Sequence, residues 1–198
     1  AIQYETEYHR YEATYSRVTI EGTEFLTVTN RRLGNIDLTV TKQWLDGGGS
    51  VRKELLAELE KTWENPDPNP ANQLYLAIRL DFVGGEDYYK IIRNGPGEAD
   101  TITVGNPDNQ VAILDQNGNP ASSLQIVSLE PGDSTREYAF HNLPKYDRSG
   151  QVVHYTAVEV WVDGSGRELS RTELAQKFPE AYALIRSYST GYSDEKYL

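Results

Sequence analysis

One alternating stretch of sequence decides the fold: Ile36-Asp37-Leu38-Thr39-Val40-Thr41-Lys42-Gln43-Trp44. Apolar and polar residues alternate along it, which is typical of a β-strand with one buried face. Side chains two residues apart share a face, and one face therefore carries Ile36, Leu38, Val40, Lys42 and Trp44. Lys42 is the exception on this face, because a lysine in apolar surroundings is costly unless it is neutral, paired or covalently bonded.

Two other strands carry the same kind of anomaly. Residues 153–161 place Glu159 on an otherwise apolar or aromatic face. Residues 24–30 place Asn30 on the face of Leu26 and Val28. A lysine, a glutamate and an asparagine, each near the end of an apolar strand face, indicate amide chemistry inside a β-domain.

Composition limits the classes of function. The chain has 198 residues, of which 38% are apolar, so it is long enough and apolar enough to build a core. A formal charge of -11 disfavours a nucleic-acid partner, because phosphate binding requires clustered positive charge. The lack of cysteine excludes disulfides and leaves room for another covalent cross-link. No run of about 18 apolar residues occurs, so we expect no membrane insertion in this segment.

The remaining pattern favours an all-β domain. Residues 74–80 alternate, and further short strands are separated by turn residues such as Asn117-Gly118. Residues 51–64 switch to helical spacing, with Ser50 as the expected N-cap. Ser170 and Glu173 form a capping box that opens a short helix, which Pro179 is expected to close. Short strands at this density, with short helices in the connections, predict a Greek-key β-sandwich.

Four segments together resemble the collagen-adhesin B-repeat (CnaB-type) domains of Gram-positive surface adhesins and pilins. They are residues 27–30 (TVTN), 40–44 (VTKQW), 140–147 (FHNLPKYD) and 153–159 (VHYTAVE). The resemblance implies an all-β, Ig-like Greek-key β-sandwich over residues 33–198, with a long insertion at about 45–135. Residues 1–32 would then be the terminal strands of a preceding repeat, or a donor strand.

The resemblance also implies a covalent site. Many members of this family carry a spontaneous Lys–Asn isopeptide bond that a buried acid promotes. By motif, Lys42 matches the family lysine, Glu159 the catalytic glutamate and Asn30 the asparagine. In the family the asparagine follows the glutamate, whereas Asn30 precedes Lys42, so Asn30 is expected to serve another repeat or another chain. Lys42 is then expected to meet either the asparagine of another copy or one on a strand beyond Leu198. From the residues alone, the alternatives are a buried ion pair between Lys42 and Glu159, or a Lys42 side chain that extends outward to solvent from the end of its strand.

The expected function is that of a structural stalk or spacer on the Gram-positive cell wall, with neighbouring repeats as partners. The alternative is a ligand-binding adhesin domain that uses the insertion at about 45–135 to bind a host matrix protein or glycan. We expect no enzyme activity beyond a single self-modification, and no cofactor.

We also expect no metal site. Asp115, Asn117 and Asn119 have the spacing of the start of a calcium loop, but Ile126 occupies the twelfth position. Asn117-Gly118 is more typical of a hairpin turn. The three histidines show no paired metal-ligand spacing.

Overall fold

The computed structural model describes residues 10–66, 68–83, 89–94, 97–104, 110–147 and 149–188. These residues form ten strands and three short helices, which confirms the all-β prediction. Residues 1–9 of the predicted terminal segment lie outside the described residues. The strands are β1 Arg10–Ile20, β2 Thr23–Leu33, β3 Asn35–Gln43, β4 Leu74–Phe82, β5 Tyr89–Ile92, β6 Thr101–Val104, β7 Gln110–Ala112, β8 Leu124–Ile126, β9 Thr135–Pro144 and β10 Tyr155–Asp163. The helices are α1 Ser50–Trp63, α2 Arg171–Lys177 and α3 Pro179–Ile185.

The chain divides into two compact units whose segments alternate along the sequence. The first unit comprises Ala1–Leu38, Gly84–Ala121 and Phe140–His154. The second comprises Thr39–Val83, Ser122–Ala139 and Tyr155–Leu198. Strands β3 and β9 pair with each other, and each begins in one unit and ends in the other.

The alternation that opened the sequence analysis is present in β3. Leu38 is buried, while Ile36, Val40 and Lys42 are partly covered and the intervening residues are exposed. One face of this strand is therefore turned away from solvent along its length, and Lys42 lies on it.

The second unit is built around the sheet β10-β4-β8. The predicted alternation of β4 is confirmed, because Leu74, Leu76, Ile78 and Leu80 are all at most 3% exposed. The opposite face of this sheet is also covered, since Ala77 clusters there with Val160 and Val162. A sheet that is covered on both faces gives β10 a rigid setting for any functional side chain.

The first unit contains the sheet β5-β6-β7 and a long hairpin made of β1 and β2. The hairpin turns at Glu21 and Gly22. Six of its large apolar side chains are each more than half exposed, which is unusual for a strand pair: Tyr15, Val18, Ile20, Phe25, Leu26 and Val28. An isolated two-stranded hairpin is at best marginally stable in water.

Helix α1 confirms the predicted change of period, but the prediction of Ser50 as its N-cap was wrong. The N-cap is Gly49, which has a left-handed φ of 77°. A side chain at Gly49 would also meet the Arg52 guanidinium at 2.8 Å. Glycine is needed there for both reasons, and Ser50 becomes the first helical residue.

The capping box of α2 is confirmed: the Ser170 side chain accepts from the Glu173 backbone N–H, and the Glu173 carboxylate accepts from the Ser170 N–H. Pro179 does not simply end that helix. It is also the first residue of α3, a position that proline favours because it needs no intrahelical N–H bond.

Three hairpin turns share one local design, an aspartate followed three residues later by glycine. Asp115, Asp147 and Asp163 each accept backbone N–H bonds two and four residues ahead through one carboxylate oxygen. The glycines have φ values of 78–80°, a left-handed conformation that glycine adopts without strain. The Asp115 carboxylate therefore caps a turn, as the Asn117-Gly118 dipeptide predicted.

Asp163 should be the most important of the three turn aspartates. Its side chain is 2% exposed, and burial alone would raise its pKa. Hydrogen bonds from Ser165 and Arg167 outweigh that effect and lower the pKa. We expect Asp163→Ala to cost roughly 1–3 kcal/mol in urea unfolding, because four part-buried hydrogen bonds from Ser165 and Arg167 lose their acceptor. Asp115→Ala, in an exposed turn of the same design, is the control and should cost less.

The sign of the pH dependence follows from the lowered pKa. The unfolded chain binds a proton at Asp163 at higher pH than the folded protein does. The contribution of Asp163 to stability is therefore present above the ordinary aspartate pKa of 3.8 and decreases as the pH falls below it. The Asp163→Ala variant should lack this part of the acid sensitivity.

Candidate cross-linking site

Lys42 and Glu159 meet in the second unit. The Lys42 Nζ lies 2.5 Å from a Glu159 carboxylate oxygen, and both side chains are 16% exposed. The two residues are more than one hundred positions apart in the sequence, and separate strands, β3 and β10, bring them together. The expected pairing of this lysine with this glutamate is thus observed.

The register of β10 explains why Glu159 points to the interior. Glu159 lies directly opposite Ile78 of β4, and Trp161 lies opposite Leu76. Residues paired in this way share a face of the sheet, and Ile78 and Leu76 are each 3% exposed. Glu159 is therefore a carboxylate on a strongly apolar face, and Lys42 is a charged partner within contact distance.

Trp44, which the alternation of residues 36–44 places on the same face as Lys42, contributes to the surroundings of that lysine. The Lys42 Nζ lies 4.1 Å from the centre of the Trp44 ring, two residues further along the same strand face. Tyr188 packs edge-on against the same ring at 5.3 Å between centroids. The lysine therefore has an aromatic neighbour on its own strand and a carboxylate from another.

A buried arginine lies on the same tryptophan. The Arg52 guanidinium is 5.6 Å from the centre of the Trp44 ring, and its side chain is 2% exposed. It donates to the carbonyl oxygens of Pro131 and Asp133 at 2.7 and 3.1 Å. Its Nε lies 3.5 Å from the Asp46 carboxylate, which is itself 7% exposed. These bonds hold the loops around the site in place. The sequence carries no local signal for them, and the one general hint is that a charge buried in a core is costly and therefore needs partners.

Asn30, the third predicted site residue, lies in β2 opposite Ala13 and is exposed. It belongs to the first unit, whereas Lys42 and Glu159 belong to the second. The structure thus brings two of the three predicted residues together within one unit. The role of Asn30 stays a prediction.

The arrangement supports ion pairing and proton transfer. A carboxyl group in contact with an amine can hold a proton from that amine and return it to a leaving group. Among the described residues, no group of three His, Cys, Asp or Glu side chains could hold a metal ion.

Tyr188 should report on the integrity of this cluster. Burial, with the nearby Asp46 charge, raises its pKa to about 12. Because the folded value exceeds the unfolded value of 10, Tyr188 contributes stability below pH 10 that is lost as the pH rises toward 12. An absorbance titration should show a late-ionising tyrosine near pH 12. That component should be missing in Tyr188→Phe and shifted to lower pH in Asp46→Asn.

Residues 99–176 match the family model for the Cna protein B-type domain. This part of the chain is a Cna protein B-type domain. No curated protein and no solved structure matches the chain. The B-type domain has an Ig-like fold, which agrees with the strand-rich structure and confirms the predicted family and fold class.

The Cna protein B-type match includes Glu159 and begins inside the stretch of about 45–135 that the sequence analysis treated as an insertion. Lys42 lies before the matched residues. Cna protein B-type domains are modules of Gram-positive surface proteins, and the match indicates a module of this type. The described helices are all too short or too polar to cross a bilayer.

Proposed function

We propose that the chain is a structural stalk or spacer module of a Gram-positive cell-surface adhesin or pilin, stabilised by an isopeptide bond that Lys42 forms without an enzyme. The single observation that carries this proposal is the 2.5 Å contact between the largely covered side chains of Lys42 and Glu159. The module would lie outside the cell at the cell wall, and its partners would be neighbouring repeats of the same protein.

The bond would form between the Lys42 side chain and an asparagine side chain. The neutral Nζ attacks the amide carbon, while protonated Glu159 donates a hydrogen bond to the amide oxygen. A carbon–nitrogen bond forms to Nζ, the carbon–nitrogen bond to the original amide nitrogen breaks, and ammonia leaves. Glu159 carries the proton from the attacking amine to the departing nitrogen. The fold holds the amine and the amide in contact, so the reaction needs no chance encounter. This proximity is equivalent to an effective concentration of about 10^5 M or more.

Such a cross-link suits a load-bearing module without disulfides. The chain has no cysteine, so it needs another way to restrict the unfolded state. The reaction occurs once per molecule and consumes the lysine, so it is a self-modification and not enzymatic turnover. The hairpin of β1 and β2, with its uncovered apolar side chains, supports the interpretation of residues 1–32 as the end of a preceding repeat or as a donor strand.

Intact mass tests the proposal. The chain expressed together with the repeats that adjoin it should weigh about 17 Da less than its sequence for each bond, because one ammonia is lost. Lys42→Ala should restore the full mass. A full mass in the longer protein, with Lys42 still open to amine-modifying reagents, would refute the proposed bond.

A second candidate is a ligand-binding adhesin domain, and one observation favours it. A cavity of about 310 Å³ lies between α1 and β8, within the predicted insertion, and Leu56, Trp63 and Ile126 help to line it. That volume is at the lower end for small-ligand sites. Purified chain should bind an immobilised matrix protein or glycan, and Trp63→Ala should abolish that binding. Retained binding by the variant would exclude this cavity.

A further inference from the structure

A cleft of about 820 Å³ opens beside Glu159. Strand β10 forms one wall, and α2, α3 and the residues after α3 form the other. Glu159 and Trp161 line the strand side, and Leu174, Tyr182, Ile185 and Tyr188 line the helical side. The cleft therefore combines these apolar and aromatic side chains with the polar Glu168, Ser170, Arg171 and Arg186, and it has the proposed catalytic carboxylate at one side, within contact distance of Lys42.

The geometry of the cleft suits an extended strand. β10 lies at the edge of the sheet β10-β4-β8, and residues 167–169 already pair with its last residues, 161–163. An edge strand is the usual place for a further strand to add, with main-chain hydrogen bonds giving affinity and alternate side chains giving specificity.

This chain itself carries a strand with the required chemistry. Leu26, Val28 and Asn30 alternate on one face of β2, and Tyr15 of β1 lies opposite Val28 on that face. Leu26, Val28 and Tyr15 are all more than half exposed. Seating Leu26 and Val28 against the apolar side chains of the cleft wall would direct Asn30 to the same wall, about 7 Å further along the strand.

Asn30 is also the strand asparagine best placed to react. In the described strands, asparagine occurs at Asn30, Asn35 and Asn142. The Asn35 amide donates to the Asn142 side chain, and the Asn142 amide donates to the Ala112 carbonyl oxygen at 2.9 Å. Asn30 is exposed.

We infer that the cleft between β10 and α2–α3 is a docking site for the β1–β2 hairpin of a second copy of this chain, with Asn30 delivered to Lys42 and Glu159. The inference rests on the proposed function for its covalent readout. The docking itself is a separate, non-covalent step. Docking explains two features at once: the exposed apolar side chains of the hairpin and the open cleft beside Lys42 and Glu159.

Substitutions on the two faces of β2 test the docking. The wild-type chain at about 200 µM should form dimers or longer assemblies by sedimentation, a range in which weak strand exchange is measurable. Leu26→Asp with Val28→Asp should weaken association at least tenfold, because two large apolar side chains lose their burial. Thr27→Asp with Thr29→Asp adds the same charge on the other face and should leave association unchanged. These residues are exposed, so the variants report binding without unfolding the second unit.

A matched pair on the cleft gives the complementary test. Ile185→Asp, in the cleft wall, should weaken association at least tenfold, whereas Ala183→Asp, exposed on the same helix and outside the lining, should not. Thermal unfolding of both variants shows whether the helix is intact. If Ile185→Asp unfolds the chain, the β2 pair alone decides the question.

The covalent arm separates the two proposals. Denaturing gels should show ladders of covalently joined chains, and the mass of each product should be about 17 Da below the sum of its chains for each bond. Lys42→Arg should abolish the ladders, while sedimentation still shows association. Association without any covalent product would support the docking and contradict the isopeptide bond. A wild-type chain that stays monomeric, equal effects of the two β2 double substitutions, or a 17 Da loss in the monomer would each overturn docking between copies.

Discussion

Replacing Glu159 with glutamine is expected to abolish covalent bond formation by Lys42. Glutamine has nearly the same shape and keeps the β10 position, but it cannot take the proton from the amine or pass it to the leaving ammonia. Intact mass should then equal the sequence mass even when the acceptor strand is present. Stability should also fall by roughly 1–3 kcal/mol, because a largely buried Lys42 loses its charged partner.

Glu168→Gln is the control for this substitution. Glu168 lines the same cleft and pairs with Arg79, but it does not approach Lys42 as Glu159 does. The cross-link should form in this variant with an unchanged yield. Cross-linking in Glu159→Gln at the wild-type rate would mean that the carboxylate has no part in the reaction and serves only as an ion-pair partner.

Arg52→Met should cause the largest loss of stability from a single substitution at this site. The change removes two bonds to backbone carbonyls and leaves the Asp46 carboxylate buried without its cation. Breaking a buried pair by removing one partner costs roughly 3–5 kcal/mol. Chemical unfolding followed by tryptophan fluorescence would measure it, and Trp44 lies directly against the altered side chain.

Two comparisons show whether burial is the cause. Arg136→Met removes an exposed arginine that pairs with Asp133, and it should cost less than about 1 kcal/mol. Adding Asp46→Asn to Arg52→Met should recover part of the loss, because the uncompensated charge is gone. If Arg52→Met costs no more than Arg136→Met, the buried cluster does not hold the loops together.

The features that sequence predicted best are those that arise from short-range periodicity. The alternation of residues 36–44 placed Lys42 on a covered face. The alternation of residues 153–161 placed Glu159 on an apolar face, which is the face that β10 shares with Ile78 and Leu76 of β4. The capping box at Ser170 was found because its two hydrogen bonds join residues three positions apart. Local patterns of this kind fix which face a side chain occupies.

The features that the sequence did not disclose depend on contacts between distant segments. Arg52, Asp46 and Tyr188 gather around Trp44, although Tyr188 follows it by more than one hundred residues. The N-cap of α1 is Gly49 and not Ser50, because a side chain at position 49 would clash with the Arg52 guanidinium. Local residue preferences do not include this constraint. The alternation of the two units along the chain is likewise a property of long-range contacts.

Peptide mapping of the protein taken from the cell surface tests the central claim most directly. An acylated Lys42 resists trypsin, so residues 33–52 should appear as one branched peptide joined to the peptide that carries the asparagine. If Asn30 is the acceptor, the attached peptide spans residues 18–31. We expect the branched peptide, with a mass about 17 Da below the sum of its two parts. Recovery of residues 33–42 and 43–52 as separate, unmodified peptides would contradict the isopeptide bond.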